Sequence, residues 1–80
     1  DCDAVIETNT WKQPEIFNWI QSQGKISKDE MLRTFNCGIG MALIIKHSDM
    51  NEILGALSEL GCASYKIGDV TKGSGQIVLR

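Results

Sequence analysis

Apolar residues recur along this chain as three helical stripes and one unbroken run, with glycine and polar clusters between them. Ile16, Phe17 and Ile20 fall on one helical face behind Pro14, whose missing N–H costs nothing in a first turn, and Gly24 offers a left-handed stop. Ser27 and Glu30 have the spacing of a capping box, in which each side chain satisfies the other's free backbone donor. They predict a short second helix over 28–34, with Met31, Leu32 and Phe35 on its buried side. Asp49 and Glu52 repeat the capping signature ahead of Met50, Ile53, Leu54, Leu57 and Leu60, a stripe at i, i+3, i+4 and i+7 spacing that Gly61 closes.

Between the second and third helices, Asn36-Cys37-Gly38-Ile39-Gly40 can bend sharply, and residues 41–46 then read as a strand buried on both faces. Ala63, Tyr65 and Ile67 alternate as a further strand, Thr71-Lys72-Gly73-Ser74-Gly75 has turn chemistry, and 76–80 forms a last strand. The last two strands are expected to pair as a hairpin. The order helix, helix, strand, helix, strand, strand predicts an α+β fold, with helices packed on one face of a small mixed or antiparallel sheet, in a single small domain over 1–80. A chain of this length buries only about 60–65% of the surface its unfolded form exposes, and three strands are few for a self-sufficient sheet. At least one sheet edge is therefore expected to pair with material outside these residues.

Composition narrows the function. Hydrophobic residues are 42% and charged residues 22% of the chain, too apolar for a disordered tail. The net charge of −2 is spread without a basic patch, which argues against a nucleic-acid partner. The longest apolar stretch, 41–45, is far shorter than the ~20 residues of a membrane-spanning helix, and no secretory pattern opens the chain. A cytoplasmic protein is the expectation. Cys2, Cys37 and Cys62 are odd in number and widely spaced, which suits reduced thiols better than a disulfide frame or a zinc site. The start at Asp1-Cys2 points to processing, trimming or a fragment boundary, natural or experimental.

Few residues offer chemistry. Gly38-Ile39-Gly40 precedes a predicted strand, whereas phosphate loops place their glycines between a strand and a helix N-terminus, so a tight helix-to-strand turn is the first reading and a pocket-lining turn the second. Cys37 and the only histidine, His47, are separated by about six strand residues at ~3.3 Å each, too far for a nucleophile and its base. The acidic pairs Asp29/Glu30 and Asp49/Glu52 fit helix capping, and Trp11, Phe17 and Trp19 fit core packing around Pro14. Arg33 and Thr34 are the exceptions: a forked cation and a hydroxyl ahead of the glycine turn suit a phosphate or carboxylate, although a solvated helix end is an equal alternative. No catalytic residue and no metal ligand set is assigned.

The run Glu30-Met31 with Arg33-Thr34-Phe35-Asn36-Cys37-Gly38-Ile39-Gly40-Met41, supported by Trp11, Pro14, Ile16-Phe17, Gly24, Gly61 and Ile67-Gly68, resembles the carboxy-terminal part of the phosphoribosylformylglycinamidine cyclo-ligase family, also called aminoimidazole ribonucleotide synthetases. The resemblance covers about residues 5–78. It implies a homodimer of two-domain subunits in purine biosynthesis. With ATP and Mg2+, such enzymes phosphorylate the amide oxygen of formylglycinamidine ribonucleotide, and an internal nitrogen displaces phosphate to close the imidazole ring. It also implies that this chain is the last part of the second domain, that it needs the missing amino-terminal part as partner and is inactive alone, and that Arg33, Thr34, Asn36, Gly38 and Gly40 form a substrate-side wall. Two other readings remain open. One is a freestanding α+β binding or regulatory module dimerising through strand edges; the other is a related enzyme, such as formylglycinamidine ribonucleotide synthetase, selenophosphate synthetase or thiamine monophosphate kinase.

Overall fold

Cys2–Ile6 forms a strand, β1, at the centre of a three-stranded sheet, antiparallel to β2 (Gly68–Lys72) and parallel to β3 (Ile77–Leu79). The computed structural model describes every residue from 1 to 80. It contains three helices, α1 (Glu15–Gly24), α2 (Lys28–Thr34) and α3 (Met50–Glu59), the last entered through a 3-10 turn at His47–Asp49. The chain divides into two units, Asp1–Trp11 with Leu43–Arg80, and Lys12–Ala42. The class is α+β with a mixed sheet, as the pattern predicts, in the order β1, α1, α2, α3, β2, β3.

In the unit built from Asp1–Trp11 and Leu43–Arg80, β1 replaces the expected hairpin. It lies between β2 and β3, so residues 73–76 must cross two strand spacings, about 9–10 Å, instead of making a tight turn. Asp3 holds that crossing in place. Its Oδ1 accepts the backbone N–H of Gln76 at 2.8 Å and of Ser74 at 2.9 Å, while the Asp1 carbonyl accepts the Gly73 N–H at 3.0 Å. A Cβ on Gly73 would overlap the Asp3 carboxylate, so glycine is needed there for space. The N–H groups of Gln76, Ser74 and Gly75, in that order, hold the Asp3 carboxyl below the ordinary carboxylate range.

The strand expected over 63–67 forms five residues later, as β2. Register explains the shift. Ile6 pairs with Gly68, so residue 67 faces Glu7, and the Glu7 N–H to Ile67 carbonyl bond at 2.8 Å is the last rung. Beyond it the chain turns, with the Thr10 N–H bonded to the Glu7 carbonyl at 3.2 Å, and residues 63–66 have no strand to pair with. On one side of the sheet Ala4, Ile6, Val70, Ile77 and Leu79 share a face, and Ile77 there is 72% exposed. The third helix packs on its own 3-10 turn, and Ile53, Leu54 and Leu57 of its apolar stripe are half-buried. Asp49 does not cap it with its side chain, in contrast to the predicted box, because its backbone is already helical at φ −95° and ψ −4°. Its end is as predicted: Gly61 takes φ 80°, and the Cys62 N–H reaches back to the Leu57 carbonyl at 2.9 Å.

In the Lys12–Ala42 unit, α1 follows Pro14, whose carbonyl accepts the Phe17 N–H at 3.0 Å. The helix stops one residue later than predicted, since Lys25 and not Gly24 adopts the left-handed conformation, at φ 52° and ψ 46°. A Cβ on Gly24 would meet only the movable side chain of Ile26, with Cδ1 at 2.9 Å. The rings of Phe17 and Phe35 meet at 6.0 Å between centroids, tilted by 58°. The side chains of Met31 and Cys37 are the only fully buried ones, each 1% exposed.

The strand expected over 41–46 does not form. These residues carry no secondary structure, and Met41 and Ile44 are 81% and 83% exposed. A strand apolar on both faces needs a neighbour on each edge and a layer over each face, and no other segment of the chain pairs with it.

Two expected outcomes follow from the sheet. Gly68→Ala places a Cβ on the Val5 carbonyl and should lower stability by about 2 kcal/mol; an unchanged urea midpoint would refute the close β1–β2 approach. Because the Asp3 carboxyl is lower in the folded chain than the unfolded value of about 3.9, it stabilises above that pH, and the contribution fades as pH falls through it toward the folded value. Urea midpoints between about pH 6 and pH 3 should therefore fall less steeply for Asp3→Asn than for the unaltered chain, and equal slopes would contradict this assignment.

Candidate functional site

The five candidate residues Arg33, Thr34, Asn36, Gly38 and Gly40 all lie in the Lys12–Ala42 unit, at the end of α2 and in the turn after it, and all five are exposed. The second helix starts at Ser27, whose Oγ accepts the Glu30 N–H at 3.2 Å. Only this half of the predicted box is made. The Glu30 carboxylate instead accepts the Thr34 hydroxyl at 3.2 Å, one helical turn ahead. Thr34 thus spends its donor on the helix, whereas Arg33 sits in the last turn and enters no ion pair.

The turn is built by Asn36. Phe35 leaves the helix in extended conformation, with its N–H on the Met31 carbonyl at 2.9 Å. Asn36 Oδ1 then accepts the Gly38 N–H at 2.8 Å, and the Asn36 carbonyl accepts the Ile39 N–H at 3.0 Å. Cys37 and Gly38 both take positive φ, 51° and 107°. The second value lies where only glycine is comfortable, which is why Gly38 is at this point. Two N–H groups of the glycine turn are committed to Asn36, so they are not aimed outward as a phosphate cradle would require. Gly40 is open, with nothing within 4 Å of a Cβ placed on it.

Cys37 is turned inward. Its Sγ donates to the Met31 carbonyl at 3.5 Å, and burial pushes its thiol pKa up. A neutral buried thiol fits a packing role and not a nucleophile. No three His, Cys, Asp or Glu side chains converge as a metal ligand set. Two features were not anticipated from the sequence: the left-handed backbone of Cys37 and the use of Asn36 as a turn former. An Asn two residues before a Gly is a recognisable signal for the second.

Over residues 1–80 the chain matches the family described as AIR synthase related protein, C-terminal domain. The chain belongs to this family. Proteins named phosphoribosylformylglycinamidine cyclo-ligase are its similar curated relatives. The one from Geotalea daltonii is 48% identical over 71 residues, covering 89% of this chain and 20% of the relative. Those from Caldicellulosiruptor saccharolyticus and Alkaliphilus metalliredigens are 47% and 43% identical over 77 residues, each covering 96% of this chain and 23% and 22% of the relative. This AIR synthase related C-terminal domain chain thus spans about a fifth of the length of the curated relatives it matches. No helix in it is long and apolar enough to cross a membrane.

The turn of this AIR synthase related domain gives two further expectations. Gly38→Val forces a β-branched residue to φ 107° and should cost about 2 kcal/mol, whereas Gly40→Ala should be near neutral; equal urea midpoints for the two variants would dismiss the turn argument. In thiol labelling under native conditions Cys2 and Cys62 should react promptly and Cys37 only on unfolding, and three equal rates would show that Cys37 is accessible.

Proposed function

We propose that these residues are the last part of the second domain of a phosphoribosylformylglycinamidine cyclo-ligase, which uses ATP to cyclise formylglycinamidine ribonucleotide to aminoimidazole ribonucleotide in purine biosynthesis. The observation that carries this reading is collinear identity of 43–48% over 89–96% of the chain, to several proteins that bear that name. The working unit is a cytoplasmic homodimer of the longer polypeptide. These 80 residues are inactive by themselves, because phosphoryl transfer needs positioned cations and metal ligands around the phosphates. The acidic side chains present do not converge in a way that fits Mg2+, and the glycine turn does not fit a triphosphate cradle.

Its own contribution is a substrate-side wall. Arg33 is exposed, unpaired with any carboxylate and adjacent to the glycine turn, and it orients the phosphate of the ribonucleotide; Thr34, Asn36, Gly38 and Gly40 shape the surface beside it. The test is an assay of ADP and phosphate release with formylglycinamidine ribonucleotide and ATP. The longer polypeptide should turn over and the 80-residue chain should not; turnover by the short chain, or none by the long one, defeats the proposal. In the long protein Arg33→Ala should raise the KM for the ribonucleotide about tenfold, roughly 1.4 kcal/mol, and leave the KM for ATP unchanged. An unaltered ribonucleotide KM removes Arg33 from the wall.

A further inference from the structure

The carboxamide of Asn36 is held at one end and open at the other. Its Oδ1 accepts the Gly38 N–H at 2.8 Å, while the Asn36 carbonyl accepts the Ile39 N–H at 3.0 Å. A backbone N–H faces only an acceptor, so the first bond decides which end of the amide is oxygen and leaves Nδ2 on the other side. Nothing in the chain accepts a hydrogen bond from Nδ2, and the residue is exposed. The side chain that carries these two donors is already fixed, so a ligand that takes them removes little further rotamer freedom.

The polar groups around it differ in kind. Thr34 gives its hydroxyl hydrogen to Glu30, so toward a ligand its Oγ1 only accepts. The N–H groups of Gly38 and Ile39 are held by Asn36 itself. The side-chain donors left at this corner are the Arg33 guanidinium, which is in no ion pair, and Asn36 Nδ2. Three residues span at most about 10–11 Å of backbone, close enough for both side chains to meet one tetrahedral anion.

We propose that Asn36 Nδ2 donates a hydrogen bond to a phosphate oxygen of the ribonucleotide, beside the Arg33 guanidinium. The inference rests on the cyclo-ligase reading and goes beyond it by separating two functions of one side chain: Oδ1 builds the turn and Nδ2 meets the ligand. A carboxylate at this position would keep the first function and reverse the second, because it accepts the Gly38 N–H but repels phosphate.

N36D and N36S separate the two functions. Each keeps an oxygen able to accept the Gly38 N–H, and each lacks the amide donors. Binding of formylglycinamidine ribonucleotide, and of the same compound without its phosphate, is measured by titration calorimetry on the full-length polypeptide in the absence of ATP. N36S should weaken ribonucleotide binding about tenfold through the lost charge-assisted bond, and N36D about a hundredfold because like-charge repulsion is added. Affinity for the dephosphorylated compound should stay the same in both variants. A distorted turn would weaken both ligands alike, and that result overturns the proposal. Ribonucleotide binding unchanged in N36S also overturns it, whatever N36D does, since sensitivity to charge alone does not require a donated bond. If the unaltered polypeptide binds no ribonucleotide, the cyclo-ligase reading fails and this inference falls with it; if it binds and both variants bind equally well, this inference fails alone.

Discussion

One carboxylate organises the sheet. Asp3 sits in the central strand and accepts backbone N–H groups from a segment more than seventy residues away, so the first and last parts of the chain are joined at a single side chain. Every rung of the ladder then involves β1, because β2 and β3 each pair with it and not with each other. Gly68 and Gly73 belong to the same constraint: each lies where a Cβ would strike β1, at the Val5 carbonyl and at the Asp3 carboxylate. The sheet therefore depends on close approach and hydrogen bonding more than on apolar burial, as the exposure of Ile77 shows.

The turn after α2 is a separate and wholly local construction. Asn36 satisfies the Gly38 N–H with its side chain and the Ile39 N–H with its carbonyl, which lets the backbone pass through two consecutive left-handed residues. Cys37 is buried by this path and bonded to the last turn of the helix it leaves. The family match extends across this motif, and the motif leaves both Arg33 and Gly40 exposed. A tight, self-satisfied turn of this kind can present side chains to a ligand without itself binding an anion.

The apolar run that follows this turn is left open to solvent. Its composition is that of a buried strand, whereas in the structure it carries no secondary structure and is exposed. Sequence and structure differ here: the run expected as a strand buried on both faces pairs with no other segment of the chain.

The sequence by itself determined the α+β class, the three helices, the left-handed stop at Gly61 and the family resemblance, because each rests on neighbours within a few positions. The candidate residues Arg33, Thr34, Asn36, Gly38 and Gly40 were grouped by the family resemblance and all lie exposed, whereas the hydrogen bonds that engage Thr34 and Asn36 were not legible. Only the tertiary structure decided which strands exist and how they pair. The first strand is a short Ala-Val-Ile stretch between acidic residues with no local signal, and it exists because distant backbone groups bond to it. Likewise the shift of the expected 63–67 strand to β2, and the absence of a strand at 41–46, follow from where partner backbone is available. Helical hydrogen bonds close within one turn and are written in local sequence, whereas a strand is defined by its neighbour, and that neighbour is chosen by the whole chain.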